Sequence, residues 1–188
     1  GGQRGVAIAS VTLGEISASQ VAYRNASELY KKYLRMSEEL GDKGGIANAS
    51  LGLGQAYIEI DNLGAALVYL NTAKELYETI GNKVALGNIY NVLSYLKYKE
   101  NRLTDAYEFA NTAFNLAKEV NDAEVNLGAL LNAGRIYGFE FCLSSTKENK
   151  SFLNKAIESF NQAITIAQSL GVKRLLAYVY YEYARMLF

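Results

Sequence analysis

The sequence predicts an all-α protein built as an α-solenoid of antiparallel helical hairpins, and three observations support this prediction. Small residues recur forty positions apart at Gly14, Gly54, Ser94 and Gly134. A second series advances by forty, forty and fifty positions through Ala26, Ala66, Ala106 and Ala156. Apolar residues between these positions follow the helical period of about 3.6 residues. A period of roughly 20 to 50 residues marks stacked supersecondary units that share one continuous core.

Each repeat is predicted to be a helical hairpin. Apolar residues fall at helical spacing between Val84 and Glu100, and again between Leu103 and Val120. A short turn containing Asp or Asn, such as Asp61-Asn62, separates the two helices. No strand-like alternation competes with this pattern. The predicted repeats cover 6–41, 42–81, 82–121 and 122–171, followed by a half repeat at 172–188, within a single domain 1–188.

Glycine and asparagine mark the junctions between repeats. Gly41, Gly81, Asn121 and Gly171 follow the second helix of each repeat, where a left-handed residue is needed to end it. The side chains of Asp42, Asn82 and Asp122 come next and can cap the following helix. Within a hairpin, small residues give clearance where two helices cross closely, so Gly54 is expected to contact Ala66.

The step of fifty in the second series places an insertion of ten residues near 138–150. Its first half is aromatic, with Phe139 and Phe141, and its second half is polar. Two interpretations remain open. The insertion either projects the first helix so that Phe139 and Phe141 form an exposed docking patch, or extends that helix only enough to cover its own longer partner.

Composition limits the classes of function. Lysine and arginine together number 19, as do aspartate and glutamate, so no basic excess indicates a nucleic-acid or membrane partner. The single cysteine, Cys142, excludes an internal disulfide. Neither a signal-peptide pattern nor an apolar run of about 18 residues is present. We therefore expect a cytoplasmic protein.

Catalysis is not expected. The chain has no histidine, the most common general base and metal ligand, so Cys142 has no imidazole to activate it. No phosphate-binding loop or cluster of metal ligands stands out. The sequence predicts no enzyme activity, no cofactor and no metal site.

The second repeat carries a family resemblance. Its Leu53-Gly54-x-x-Tyr57, followed by Ala66, Leu70 and Ala73, resembles the tetratricopeptide repeat, and partial matches extend over nearly the whole chain. The repeat is forty residues long rather than about 34, and it lacks the tryptophan-type residue and the closing proline. In its length and its Gly-Asp junctions it is similar to the arrays of kinesin light chains and of bacterial signalling and transcriptional regulators.

This resemblance implies a right-handed solenoid of four hairpins plus one terminal helix. It also implies a protein-interaction scaffold in which the first helices line a concave groove that receives a peptide segment. We expect the chain to be part of a longer signalling or regulatory protein. The alternative is a structural or self-associating module that packs on a dimer mate or on an effector domain of the same chain.

The resemblance also carries groove positions onto the first helices of the repeats. These positions are Gln55, Glu59, Asn88, Asn91, Tyr95, Tyr98, Lys99, Arg135, Phe139, Tyr178, Tyr181 and Arg185. Tyrosine and arginine combine contact area with polar groups, as binding hot spots require. Asn91 is placed to bridge a peptide backbone. The family's clamp for C-terminal carboxylates is not expected, because Val11 and Glu15 occupy its positions in the first repeat.

The last helix, over 172–188, is apolar and aromatic on most sides, whereas solenoid ends normally carry a polar face. By register it is a first helix whose partner is missing. We therefore expect self-association, with a homodimer through this helix, and a parent chain that continues past Phe188.

Overall fold

The computed structural model describes the backbone of residues 2–144 and 149–187, with side chains in those ranges from residue 20 onward. The described part of the chain contains eight helices and no strand. The helices are α1 (Gly2–Leu40), α2 (Lys43–Glu59), α3 (Leu63–Ile80), α4 (Lys83–Lys99), α5 (Leu103–Val120), α6 (Ala123–Leu143), α7 (Asn149–Ser169) and α8 (Lys173–Leu187).

The prediction of an all-α fold is confirmed. Consecutive helices pack against each other within two compact units, formed by residues 1–80 and 81–188. The type of repeat, the handedness of a solenoid and the single domain stay predictions. The predicted roles of Gly14, Val11 and Glu15 concern residues outside the described side chains.

The first repeat differs from its prediction. The sequence predicts a hairpin over 6–41, but α1 is one continuous helix from Gly2 to Leu40. The later hairpins turn at Asp61 and Asn101, whose φ angles are 62° and 60°. Both positions align with Val21, forty and eighty residues earlier. A β-branched residue disfavours the left-handed conformation that this turn needs, so the helix continues.

In the first unit, α2 packs against both α1 and α3. The ring of Tyr30 on α1 lies so close to Gly52 that a β-carbon there would collide with it. On the other side of α2, the rings of Tyr57 and Tyr69 stack with their centres 5.6 Å apart. Aromatic rings on α1 and α3 therefore fix the position of α2 between them.

The second unit has a row of three helices. α5 packs against α4 and α6, and α7 packs against α6 and α8. In addition α4 meets α6 and α6 meets α8, so these three form a continuous row. A core cluster centres on the fully buried Phe160 of α7 and includes Leu127 and Leu131 of α6 and Val179 of α8. This packing fixes α8 against α6.

The predicted helix ends are confirmed. Gly41, Gly81, Asn121 and Gly171 have φ angles between 53° and 76°. The side chains of Asp42, Asn82 and Asp122 accept hydrogen bonds of 2.8 to 3.0 Å from the backbone N–H three residues later. Each cap satisfies a donor that the first turn of a helix leaves without a partner.

The small residues lie at tight helix crossings. A β-carbon at Gly54 would come within 2.6 Å of the Leu70 side chain and 3.5 Å of the Ala66 carbonyl oxygen. The expected contact of Gly54 is therefore made with the backbone of Ala66, and Leu70 is the closer neighbour. A β-carbon at Gly134 would come within 2.8 Å of Phe160. These distances show that the glycines provide clearance between helices.

The insertion lengthens both helices of the fourth hairpin. α6 and α7 have 21 residues each, whereas α4 has 17 and α5 has 18. Phe139 and Phe141 are half-buried, and the ring of Phe139 packs against Tyr98 of α4, so the two rings do not form the exposed docking patch of the first interpretation. The loop residues 145–148 lie outside the described part of the chain.

Candidate binding site on the row of α4, α6 and α8

A cavity of about 200 Å³ lies on the row formed by α4, α6 and α8. Its lining comes from the C-terminal halves of these helices, with one ring from α7. The lining residues are Tyr95, Tyr98, Lys99, Arg135, Gly138, Phe139, Cys142, Phe160, Glu182, Arg185 and Met186. The cavity therefore combines aromatic rings, one carboxylate and three cationic side chains.

Arg135 joins the three helices of the row. Its Nε donates a hydrogen bond of 2.8 Å to Glu182 Oε2 on α8. One terminal nitrogen donates to Asn132 Oδ1 at 2.9 Å, and the other donates to the Tyr178 hydroxyl at 2.6 Å. The guanidinium carbon also lies 4.8 Å from the ring centre of Tyr95 on α4. Contacts in so many directions hold the guanidinium in one orientation.

Burial makes this ion pair costly to break. The side chains of Arg135 and Glu182 are only 10% and 6% exposed. Burial is the largest single influence and disfavours the charged guanidinium, but the hydrogen bond to Glu182 and the electrostatic interactions with Tyr178, Glu182 and Tyr95 together outweigh it, so the pKa of Arg135 is raised. The second carboxylate oxygen of Glu182 lies 3.4 Å from Arg185. Glu182 is thus paired with two arginines, as a buried carboxylate requires.

The rim of the cavity is aromatic. Tyr95 and Tyr98 stack with ring centres 6.4 Å apart, and the rings of Tyr98 and Phe139 pack edge to face with their centres 5.8 Å apart. Burial raises the pKa of Tyr98, although the nearby Arg185 and Arg135 act in the opposite direction. Tyr98 therefore remains a neutral phenol at neutral pH, and its ring is available for apolar contact.

Two asparagines hold α4 and α6 together beside the cavity. The Asn91 side chain donates a hydrogen bond of 2.9 Å to the Val125 carbonyl, and the Asn132 side chain donates one of 2.8 Å to the Asn91 carbonyl. The family resemblance predicts that Asn91 bridges a peptide backbone. In the structure its amide nitrogen bonds to the backbone of α6.

The structure brings together half of the predicted groove residues. Six of the twelve line the cavity, namely Tyr95, Tyr98, Lys99, Arg135, Phe139 and Arg185. Tyr178 bonds to Arg135, and the exposed Tyr181 lies with its ring centre 5.7 Å from the Arg185 guanidinium carbon. Asn88 is exposed on α4 outside the lining, while Gln55 and Glu59 belong to α2 of the first unit.

Sequence reasoning missed Glu182, Asn132 and Met186. Glu182 is the carboxylate that allows Arg135 to be buried, and its position three residues before Arg185 is the only local signal of that role. Asn132 precedes Arg135 by three residues on α6, so the pair shares one helix face. Nothing in the sequence near Arg135 predicts its contact with α8.

A second cavity, of about 180 Å³, lies between α5, α6 and α7. Its lining includes Tyr107, Phe114 and Tyr137 but no charged residue and none of the predicted groove residues. Among the described residues, no group of three His, Cys, Asp or Glu side chains could hold a metal ion. No helix in the described ranges combines the length and apolar character that a membrane span requires.

The fold and the cavity thus define an all-α protein whose consecutive helices pack in two units, with a polar and aromatic cavity in the second. Comparison of the chain with protein-family models gives no match, and comparison with curated proteins gives no match either.

Proposed function

We propose that the row of α4, α6 and α8 binds a peptide segment of a partner protein, and that the chain is a protein-interaction scaffold. The bound segment places one apolar side chain in the cavity and an acidic residue beside it. The single observation that carries this proposal is the cavity itself, which joins an aromatic rim to exposed cationic groups. The proposal agrees with the groove that the tetratricopeptide resemblance implies.

The size of the cavity favours a side chain over a free small molecule. Small-molecule sites typically enclose about 300–1,000 Å³, whereas this cavity has about 200 Å³. Tyr98, Phe139 and Met186 supply its apolar contacts. Burying one large apolar side chain of a peptide there contributes about 1.5 to 3 kcal/mol.

The charges around the cavity favour an acidic neighbour for that side chain. The lining contains three cations, Lys99, Arg135 and Arg185, and one carboxylate, Glu182. Glu182 and Arg135 are paired with each other inside the wall, whereas Lys99 and Arg185 are exposed. A carboxylate on the peptide would therefore meet positive charge at the rim.

Preorganisation of the wall lowers the cost of binding. Arg135 is held by Glu182, Asn132 and Tyr178, so its rotamer is fixed before a ligand arrives. A fixed side chain loses little conformational entropy on binding. Arg135 is therefore proposed to act as a rigid support for the rings of Tyr95 and Tyr178, and the exposed Lys99 and Arg185 as the groups that contact the peptide.

Binding can be measured by fluorescence anisotropy with labelled alanine-based peptides that carry a central Leu flanked by Glu. We expect the parent peptide to bind more tightly than versions with Ala for Leu or Lys for Glu. Cys142→Trp places a large ring at the cavity and should weaken binding at least about tenfold, because the apolar side chain is excluded. Lys99→Glu should weaken binding about three- to tenfold.

Matched controls exist for both substitutions. Leu143 is the next residue, is 65% exposed and does not line the cavity, so Leu143→Trp should leave affinity unchanged. Lys173 is an exposed lysine at the start of α8, away from the lining, and Lys173→Glu is the control for charge. Equal affinity for all three peptides, or equal losses in the test and control variants, would refute binding at this cavity.

A further inference from the structure

An exposed apolar stripe runs along α1. Leu29, Met36 and Leu40 are 65%, 60% and 81% exposed, and Tyr33 between them is 42% exposed. Among the described residues, the other large aliphatic side chains that are at least 60% exposed are Val68 and Leu143. The spacing of four, three and four residues places all four side chains on one face of the helix. We name this face the α1 seam.

The α1 seam is separate from the face by which α1 packs on α2. The α2-facing residues, Ser27, Tyr30 and Ser37, are one residue out of register with the seam. In a helix, one residue corresponds to a rotation of about 100°. α1 packs against α2 and not against α3, and the side chains of Leu29, Met36 and Leu40 are at least 60% exposed, so the first unit leaves most of the seam uncovered.

Charged residues border the seam on the side away from α2. Lys32 and Glu39 are both exposed there and lie seven residues apart, two helical turns along one flank. In a helix pair, residues at these flanking positions choose the partner and its orientation through ion pairs. One positive and one negative flank residue at this separation form a self-complementary pattern.

We propose that a second copy of this chain packs antiparallel along the α1 seam. With the pair centred between residues 34 and 35, Leu29 meets the partner's Leu40 and Tyr33 meets the partner's Met36. The same arrangement brings Lys32 beside the partner's Glu39, and the symmetry repeats each contact. A parallel pair in register would bring Lys32 near the partner's Ser37 instead, with no opposite charge to meet. The proposal uses only the first unit and is independent of peptide binding.

Sedimentation equilibrium of the full chain over a concentration series tests this pairing. We expect a reversible monomer–dimer equilibrium. Leu29→Glu with Met36→Glu should raise the dimer dissociation constant at least about 100-fold, because four apolar side chains leave the interface. Both residues are exposed in the single chain, so the variant should keep its helical circular dichroism. Val68→Glu is the matched control on α3, at 64% exposure, and should leave the equilibrium unchanged.

A charge exchange tests the orientation. Lys32→Glu alone places like charges together twice and should raise the dissociation constant about three- to tenfold. Lys32→Glu combined with Glu39→Lys restores opposite charges and should recover the original value. A chain that is monomeric at every concentration overturns the proposal. So does a dimer that is insensitive to the seam variant but lost on substitution of Tyr181 in α8, and so does a charge exchange without recovery.

Discussion

At the scale of single residues, size complementarity explains the series of small residues. Gly54 faces Leu70 and Gly134 faces Phe160, so a glycine accompanies a large side chain at the crossing in two hairpins. In the third hairpin the equivalent positions are Ser94 and Ala110. There the serine hydroxyl donates a hydrogen bond of 2.7 Å to the Ala106 carbonyl. Two crossings therefore combine a glycine with a large side chain, whereas the third combines two small residues and adds a hydrogen bond to the facing backbone.

A double-mutant cycle at Gly54 and Leu70 tests this complementarity. Gly54→Ala should destabilise by about 1 to 3 kcal/mol, because the new methyl group collides with Leu70. Leu70→Ala should cost about 2 to 5 kcal/mol through the cavity it leaves. In the double variant each change relieves the other, so the loss should fall short of the sum by about 0.5 to 3 kcal/mol. Urea unfolding monitored by circular dichroism measures all three values.

Gly64 provides the control for this cycle. It lies in α3, and a β-carbon there would meet no atom within 4 Å. Gly64→Ala should stabilise the protein by up to about 1 kcal/mol, since alanine is the better helix former. Two results would show that a methyl group fits at this crossing without a clash. One is strict additivity of Gly54→Ala and Leu70→Ala, and the other is a gain in stability on Gly54→Ala equal to that on Gly64→Ala.

At the scale of helices, turn residues decide where a hairpin divides. Asp61 and Asn101 adopt the left-handed conformation between the helices of their hairpins. Asparagine and aspartate tolerate this conformation better than other residues that carry a β-carbon. Val21 occupies the aligned position in the first repeat, and α1 runs through it without interruption. The helical period alone cannot reveal this difference, because it is the same in one long helix and in two short ones.

Substitution of Asn101 tests the role of this position. Asn101→Val forces a β-branched residue to a φ of 60° and should destabilise the protein by about 1 to 2 kcal/mol or more. Asn101→Gly should be neutral or stabilising, because glycine adopts this conformation without steric cost. Thermal or urea unfolding measures both variants. If valine proved as stable as glycine at this turn, Val21 would not explain the continuity of α1.

At the scale of the whole molecule, features set by neighbouring residues were predictable from the sequence, whereas contacts between residues far apart in the chain were not. The all-α class, the helix ends at Gly41 and Asn121 and the cap at Asp122 follow from periodicity and backbone preference. The ion pair of Arg135 and Glu182 joins residues 47 positions apart, on helices that meet only through tertiary packing. Sequence reasoning therefore identified Arg135 as a binding residue, whereas the structure places it mainly within the wall of the cavity.

The response of the molecule to alkaline pH follows from its buried tyrosines. The chain has 15 tyrosines and no histidine, so tyrosine is a major source of titration above neutrality. Burial raises the pKa of Tyr77 in the first unit and of Tyr98 and Tyr137 in the second. A tyrosine whose pKa is higher in the folded protein than in the unfolded chain, where it is about 10, stabilises the folded state at lower pH. This contribution is lost as the pH rises through the pKa of the folded protein.

We therefore expect the free energy of unfolding to fall as pH rises above about 10. Tyr98→Phe removes one of these groups and should make the fall less steep, because a phenyl ring has no proton to lose. Urea unfolding at a series of pH values measures the slope, and phenolate absorbance follows the titration. Identical slopes for Tyr98→Phe and the parent chain would show that ionisation of Tyr98 does not contribute to alkaline unfolding.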